Sequence, residues 1–509
     1  MRRRELILSG AAAAAAGLGR AGALPVPARR TVRGLGDEER RFLGDFDAWL
    51  SAALRRFASV PALSVAVARR RGAIFAAGYG LADRARGVRA DAHTGFYIAS
   101  STKSFVGLAF ARLAEAGRID LGWTLARLAP EVAFAPEVRA GEVTLEHLLS
   151  HSHGLVSAGI EFRLAYTGEH DPATLWRLLG RLRPNPKAPL GTFDYSNLGY
   201  NVAALLIERR LGRSWQALLE AEVLRPLGLA ETIARGVAHS PVFLARPYAG
   251  ERPLYLAKTD AIMQSAGGMY ASAADMGHWL GCHLAAEEGG RPPAAAAMRR
   301  THTPVVALDQ SFGPFARTGY GLGWYSGGYR GATLYHAFGS YTGARAHTSF
   351  LPARDLAVAI FANDQEAGFQ LVDIAAAYAY DWFLIGPEAA ARAAGALLDR
   401  LADAAARQAA ARTADRARRA ARPWRLGLPR AAYRGRFCSD DYGTLTIGGD
   451  GERLEARMGL LRADLEPFVD PETARLELIP GEGEVLRFVV EGGAVAALRT
   501  PRGEFRRCG

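Results

Sequence analysis

Strand-forming segments stand at two widely separated places in this chain, and the helical stretch between them limits how a sheet can be assembled. Leu63-Ser64-Val65-Ala66-Val67 and Ala73-Ile74-Phe75-Ala76-Ala77 flank Arg70-Arg71-Gly72, a pattern that predicts two strands joined by a tight turn. Ala344 to Phe350 and Leu356 to Phe361, around Pro352, predict two more strands, whereas residues 120 to about 290 read mostly as helices with Pro- and Gly-rich loops. The sheet is therefore expected to be built from both ends, with helices inserted between. This predicts an α/β (α+β) domain over residues 38–385, an antiparallel sheet flanked by helices.

An Ala-rich helical stretch from about 370 to 421 leads to Pro423 and Pro429, which mark a boundary. Residues 386–429 read as an Ala/Arg-rich helical linker. In residues 430–509, Leu445/Ile447, Leu454/Ala456/Met458 and Leu486/Phe488/Val490 alternate with polar residues, and Gly448-Gly449-Asp450-Gly451 and Gly492-Gly493 separate the runs. Period-two patterning with Gly-rich turns predicts a small antiparallel β-domain. Cys438 falls in its first strand and Cys508 in its last, so a disulfide closing the domain is expected. With only Cys282 besides, the chain has neither a disulfide framework nor metal-type cysteine spacing.

Residues 1–23 stand apart. Arg2, Arg3 and Arg4 precede Leu6-Ile7-Leu8, an Ala/Gly run and Ala21-Gly22-Ala23, the layout of a cleavable export signal. Two arginines followed by an apolar pair also resemble the twin-arginine address. The apolar run falls short of the roughly 20 residues that span a bilayer, so a periplasmic or extracellular destination is expected, with no transmembrane anchor in the mature chain. The net charge of +12 raises the question of nucleic acid. Much of it lies between Arg392 and Arg430, in a tract that reads as a solvated helix with no stacking platform or binding fold beside it.

Of the 63 Lys and Arg residues, only Lys103, Lys187 and Lys258 are lysines. Arginine stays protonated, whereas a desolvated lysine can lose its proton and serve as a base. Lys103 follows Ser100 by three positions, at the start of a run in which Phe105, Leu108, Ala109, Leu113 and Ala116 recur at helical spacing. Positions i and i+3 share a helix face, so the amine can reach the Ser100 hydroxyl, and the Ser100 N–H at the helix start can stabilise an oxyanion. Alone, the pair reads far more readily as a capping serine beside an exposed lysine. Tyr195 and Asn197, two apart in a short loop before another helix, change that balance. A tyrosine beside the lysine can share the base role, and the amide can hold the lysine and a substrate carbonyl.

With these motifs the chain resembles the serine β-lactamase-like superfamily, in the branch of class C β-lactamases, D-aminopeptidases, D-alanyl carboxypeptidases and several esterases. The resemblance runs from about residue 55 to 385. It also includes Val143 to His151, Pro226-Leu227-Gly228-Leu229, Gly267-Gly268-Met269-Tyr270-Ala271-Ser272 and Tyr320-Gly321-Leu322-Gly323-Trp324. It implies that Ser100 is the acylated nucleophile, that Lys103 and Tyr195 handle its proton, and that Asn197 positions lysine and substrate.

The third motif departs from the family. Where Lys-Thr-Gly or His-x-Gly is usual, the chain reads Tyr335-His336-Ala337-Phe338-Gly339-Ser340. With Gly339 as the motif glycine, Ala337 takes the Lys/His place, and His336 reaches the site only if a β-bulge turns it. The resemblance implies substrate contacts from His336, Gly339 and Ser340, with the Ser340 N–H as second oxyanion donor. No lysine follows Lys258, so the lysine that binds the carboxylate of β-lactams is missing. Arg345 is a candidate substitute, or else an exposed strand charge.

His147, His151 and His153 beside Glu146 raise a zinc reading. The run lacks downstream partners and coincides with the family's His-Leu-Leu-x-His-x-x-Gly-Leu segment, so neither metal nor cofactor is expected. The sequence thus points to a serine hydrolase acting on a small-molecule or peptide substrate through an ester, amide or D-amino-acid peptide bond. A β-lactamase or D-alanyl-D-alanine carboxypeptidase is the nearest alternative, and a non-catalytic ligand-binding relative is the other.

Overall fold

The computed structural model describes residues 35–290 and 292–509; the expected export signal at 1–23 lies outside them. Its main sheet has nine strands: β1 (Ala62–Arg69), β2 (Gly72–Asp83), β3 (Val88–Arg89), β4 (Val306–Phe312), β5 (Phe315–Tyr320), β6 (Tyr325–Tyr329), β7 (Ala332–Tyr341), β8 (Ala344–Leu351) and β9 (Leu356–Ala362). They lie in the order β4-β5-β6-β7-β8-β9-β1-β2-β3. β1 pairs antiparallel with β9, Val65 opposite Ile360 and Val67 opposite Val358. The sheet is thus closed from both ends of the segment, as expected.

The helices that matter to the site are α1 (Asp37–Arg56), α2 (Thr102–Glu115), α3 (Leu145–Leu149), α4 (Ala158–Phe162), α5 (Leu198–Leu211), α6 (Ala273–Glu287), α7 (Ala295–His302), α8 (Gly368–Leu384) and α9 (Pro387–Ala420). Strand alternation divides β1 between two cores. Leu63, Val65 and Val67 join Phe42, Phe46 and Leu50 of α1 and Leu371 and Ala375 of α8. Ala66 and Ala68 join Phe105 and Leu108 of α2 and Met276 and Trp279 of α6. Small residues on that second face let α6 come close: a Cβ on Gly281 would stand 2.9 Å from Gly72 Cα.

The Ala-rich stretch is two helices, interrupted at Ile385–Gly386 before Pro387 at the first helical position. Ala390, Ala394, Leu398 and Leu401 of α9 are buried against α1 and α8. The first half of the segment read as a linker is therefore core, because these four positions recur at helical spacing.

The C-terminal sheet holds β10 (Gly435–Ser439), β11 (Gly443–Gly448), β12 (Glu455–Met458), β13 (Leu461–Asp464), β14 (Glu466–Pro467), β15 (Thr473–Ile479), β16 (Glu482–Glu491), β17 (Ala494–Thr500) and β18 (Gly503–Cys508). Its order is β13-β12-β11-β10-β18-β17-β16-β15-β14, so first and last strands are neighbours, and a Cys438–Cys508 disulfide joins them. Its core is continuous with Tyr97, Ala99, Tyr270, Tyr341 and Ala344 of the main domain. The β-domain is thereby seated beside the turn that carries Ser100. No helix among the described residues is long and apolar enough to cross a membrane.

Candidate active site

Ser100 sits in a 3-10 turn, Ala99–Ser101, that runs directly into α2. Ala99 has φ +44°, a left-handed conformation that costs a non-glycine residue roughly 1–2 kcal/mol and turns Ser100 out of the preceding extended segment. Lys103, the second residue of α2, is 1% exposed and Ser100 is 8% exposed. The Lys103 Nζ lies 3.2 Å from Ser100 Oγ, 2.8 Å from Asn197 Oδ1 and 2.6 Å from the Ala266 carbonyl oxygen. Ala266 precedes the Gly267-Gly268-Met269-Tyr270 motif, so that motif delivers a backbone acceptor to the lysine.

Burial pushes Lys103 well below the usual lysine range, while Glu161 pulls the other way. Its Nζ also lies 5.0 Å from the Tyr195 ring centre and 5.5 Å from that of Tyr200. Such enclosure favours the neutral amine, the form able to accept a proton. The Tyr195 phenol moves the opposite way: burial raises it, outweighing the lowering by Ser100 and Arg317. Its hydroxyl has no partner of full hydrogen-bond geometry; the oxygen is close enough to Ser100 to feel it, without being aligned on it. The expectation of a tyrosine with lowered proton affinity is therefore corrected. Both surroundings favour the uncharged side chain, a free amine on Lys103 and a protonated phenol on Tyr195.

Glycines set how closely the pieces approach. A Cβ on Gly339 would fall 1.9 Å from the Ile98 carbonyl oxygen, and one on Gly323 2.4 Å from the Lys103 carbonyl oxygen. β7 and the Tyr320–Trp324 segment thus press against the start of α2 with no side chain between. Ser340, paired with Arg345 on β8, follows Gly339 at the strand edge beside Ser100. On α5, a Cβ on Gly199 would stand 2.1 Å from the Leu148 carbonyl oxygen, which seats the Tyr195–Asn197 turn on the segment after α3.

The structure brings Ser100, Lys103, Tyr195 and Asn197 together and sets Gly339 against the turn before Ser100. It does not bring His336 to them. β7 keeps a continuous register with β6 and β8 through His336, so no bulge turns that side chain, and alternation sends it to the opposite face from Gly339. There it is 1% exposed, with Arg317 Nη2 3.1 Å from its Nδ1 and the His347 ring 4.6 Å away. Arg345 is likewise no exposed charge: it is 1% exposed and bridges Asp373 Oδ2 at 2.8 Å.

That far face carries a second constellation. His347 Nε2 lies 2.7 Å from Ser349 Oγ, and His347 Nδ1 lies 2.7 Å from Asp373 Oδ1. One donor atom each from His336, His347 and Asp373 also lies within 4.8 Å of the others. With the guanidiniums of Arg345 and Arg317 already on these donors, the local charge opposes a metal cation. The His147, His151 and His153 rings turn to separate partners: Thr144, the Tyr320 hydroxyl with the Ser196 N–H, and the Leu155 N–H. Glu161 and the Ala266 carbonyl escaped the reading of the sequence, because neither has a local pattern; only folding brings them to the lysine.

Residues 50–381 match the beta-lactamase family, and the chain belongs to that family of serine hydrolases. The unguisins hydrolase ungD of Aspergillus violaceofuscus is 26% identical over 67% of this chain and 66% of its own length. Esterase EstB of Burkholderia gladioli is 32% identical over 42% of this chain and 57% of its own. The chain thus spans about two thirds or less of the curated relatives it matches. Among solved structures, the octameric penicillin-binding protein homologue of Pyrococcus abyssi superposes with a TM-score of 0.57 at 19% identity, over 91% of this chain and 99% of the other. That likeness concerns the fold and reaches into the C-terminal β-domain.

Proposed function

We propose that this protein is an exported, metal-independent serine hydrolase that acylates at Ser100 and releases the acyl group to water. One observation carries the reading: a buried lysine amine, depressed by desolvation, lies 3.2 Å from the Ser100 hydroxyl. Lys103 takes the Ser100 proton as Oγ attacks the substrate carbonyl carbon. The resulting oxyanion is held by the N–H groups of Ser100 and Ser340. Collapse breaks the bond to the leaving group, which receives a proton from Tyr195, and Lys103 resupplies Tyr195. Water then attacks the acyl carbonyl carbon as the same pair takes its proton, and collapse frees the acid while the pair returns that proton to Ser100 Oγ.

Ala337 and the buried Arg345 leave the groove without the side-chain cation of the β-lactam enzymes, which supports an ester, amide or D-amino-acid peptide as substrate. The esterase name of one relative supports the same reading. The test is covalent labelling with a fluorophosphonate and peptide mapping. Label is expected on Ser100 and lost in Ser100→Ala; label on another serine would overturn the mechanism.

A further inference from the structure

Behind Lys103 stands a carboxylate that the hydrolytic scheme does not use. Glu161, half-buried on the five-residue helix α4, accepts a hydrogen bond from Ser196 Oγ at 2.8 Å. Ser196 is the middle residue of the Tyr195–Asn197 turn, and the backbone N–H groups of Asn197 and Leu198 also favour the ionised Glu161. Charge couples Glu161 and Lys103 in both directions. One carboxylate therefore holds the tyrosine–asparagine turn and acts on the lysine.

What holds Glu161 is the C-terminal β-domain. The Arg163 Nε donates to the Asp441 carbonyl oxygen at 2.6 Å and its Nη2 to that of Asp440 at 3.3 Å. Arg181 bridges the carboxylates of the same two residues at 2.9 and 2.7 Å. A Cβ on Gly159 would stand 2.9 Å from the Asp441 carbonyl oxygen, so α4 lies flat on the β10–β11 turn. Phe162 packs edge-on against Tyr442. The short helix is a strut between the β-domain and the lysine.

We propose that Glu161 is a positioning residue for the catalytic lysine: clamped by the C-terminal β-domain, its carboxylate fastens the Tyr195–Asn197 turn and supplies the counter-charge of Lys103. The proposal rests on the acyl-enzyme reading. It gives the β-domain a part in catalysis, since the domain fixes a charge that sets how readily Lys103 sheds its proton. The other titratable groups facing this pair do not compete. Burial and Lys103 hold His151 well below the usual histidine range, Tyr166 is pushed up to about 12, and burial raises Tyr195 and Tyr200.

The experiment follows the rate of Ser100 labelling by a fluorophosphonate against pH. Labelling needs neutral Lys103, so it falls as pH drops through the lysine's pKa. A negative Glu161 raises that pKa, so Glu161→Gln is expected to move the acid limb to lower pH by about half to one unit. Glu161→Asp, which keeps the charge, is expected to restore most of the wild-type limb. A limb that stays in place in Glu161→Gln, with the rate merely scaled, would show a packing role only and overturn the proposal. If Glu161→Gln does not fold, Ser196→Ala serves: it keeps the carboxylate but unhooks the turn. It should slow labelling on the order of 10-fold with the limb in place, and an unchanged rate overturns the positioning role. Arg163→Gln should also slow labelling; the wild-type rate there would remove the β-domain from the scheme. Absence of label in the wild-type protein would instead refute the acyl-enzyme reading itself, so the two failures are told apart.

Discussion

Ser100 and Ser349 lie on opposite sides of one sheet, each within hydrogen-bond distance of a nitrogen base, and their surroundings differ. Around Ser349 the geometry is the more regular: His347 at 2.7 Å on one side, Asp373 behind the imidazole at 2.7 Å, and the Tyr380 hydroxyl 2.7 Å from the same serine oxygen. Yet Ser349 and His347 are fully buried under α8, with no edge along which a substrate could lie. Ser100 has a longer contact, 3.2 Å to Lys103 Nζ, and its turn abuts β7 at Gly339, beyond the last residue that β6 pairs. Access distinguishes the two more than hydrogen-bond length does: Ser100 keeps 8% exposure and Ser349 none. The far-face serine, histidine and aspartate are a polar core, and Asp373 is the counter-ion of Arg345.

The comparison breaks most sharply at the bases. Lys103→Arg keeps a cation but removes a group able to lose its proton, and should slow Ser100 acylation about 10²–10⁴-fold in a labelling assay. Asp373→Asn strands the buried Arg345 guanidinium and should cost about 3–5 kcal/mol in denaturant unfolding, with the labelling rate per folded molecule nearly unchanged. A large rate loss there would mean that the two faces are coupled. Tyr195→Phe should slow turnover of a poor leaving group about 10²-fold while barely affecting an activated ester. In the wild type the acid limb should lie well below the ordinary lysine pKa of about 10.4, because burial depresses Lys103. Activity rises with pH through that value, and Tyr195, raised by burial, keeps its proton above it. Ser349→Ala is the mildest change. It should cost about 1 kcal/mol in a thermal melt and leave Ser100 labelling intact.

Four of the nine strands of the main sheet were legible because their hydrophobic pattern is local: β1 and β2 flank a tight turn and β8 and β9 stand around Pro352, whereas β3 to β7 went unread. Ser100, Lys103, Tyr195 and Asn197 were legible because each pair lies within three residues. What escaped depends on distance in the chain. The Ala-rich stretch conceals a break at Gly386 and a buried stripe on α9 that only α1 and α8 complete. His336 stood one residue from the motif position, and period-two alternation, unbroken by any bulge, carries it to the other face. The direction of the Tyr195 shift depends on burial among Tyr320, Tyr325 and Phe338, which come from a distant part of the chain. Glu161 has no motif at all.

The close approach at Gly339 has a consequence for how this protein can vary. Its hydrogen occupies the space where a methyl group would collide with the Ile98 oxygen, so the gap between β7 and the serine turn is gauged by one missing carbon. Neighbouring positions are free of that gauge. Phe338 and Ser340 are only half-buried, and Ala337 stands at the place that the resemblance assigns to a lysine or histidine. The chain can therefore exchange the groups that choose a substrate while the spacing that permits reaction stays fixed, a division of labour within four consecutive residues.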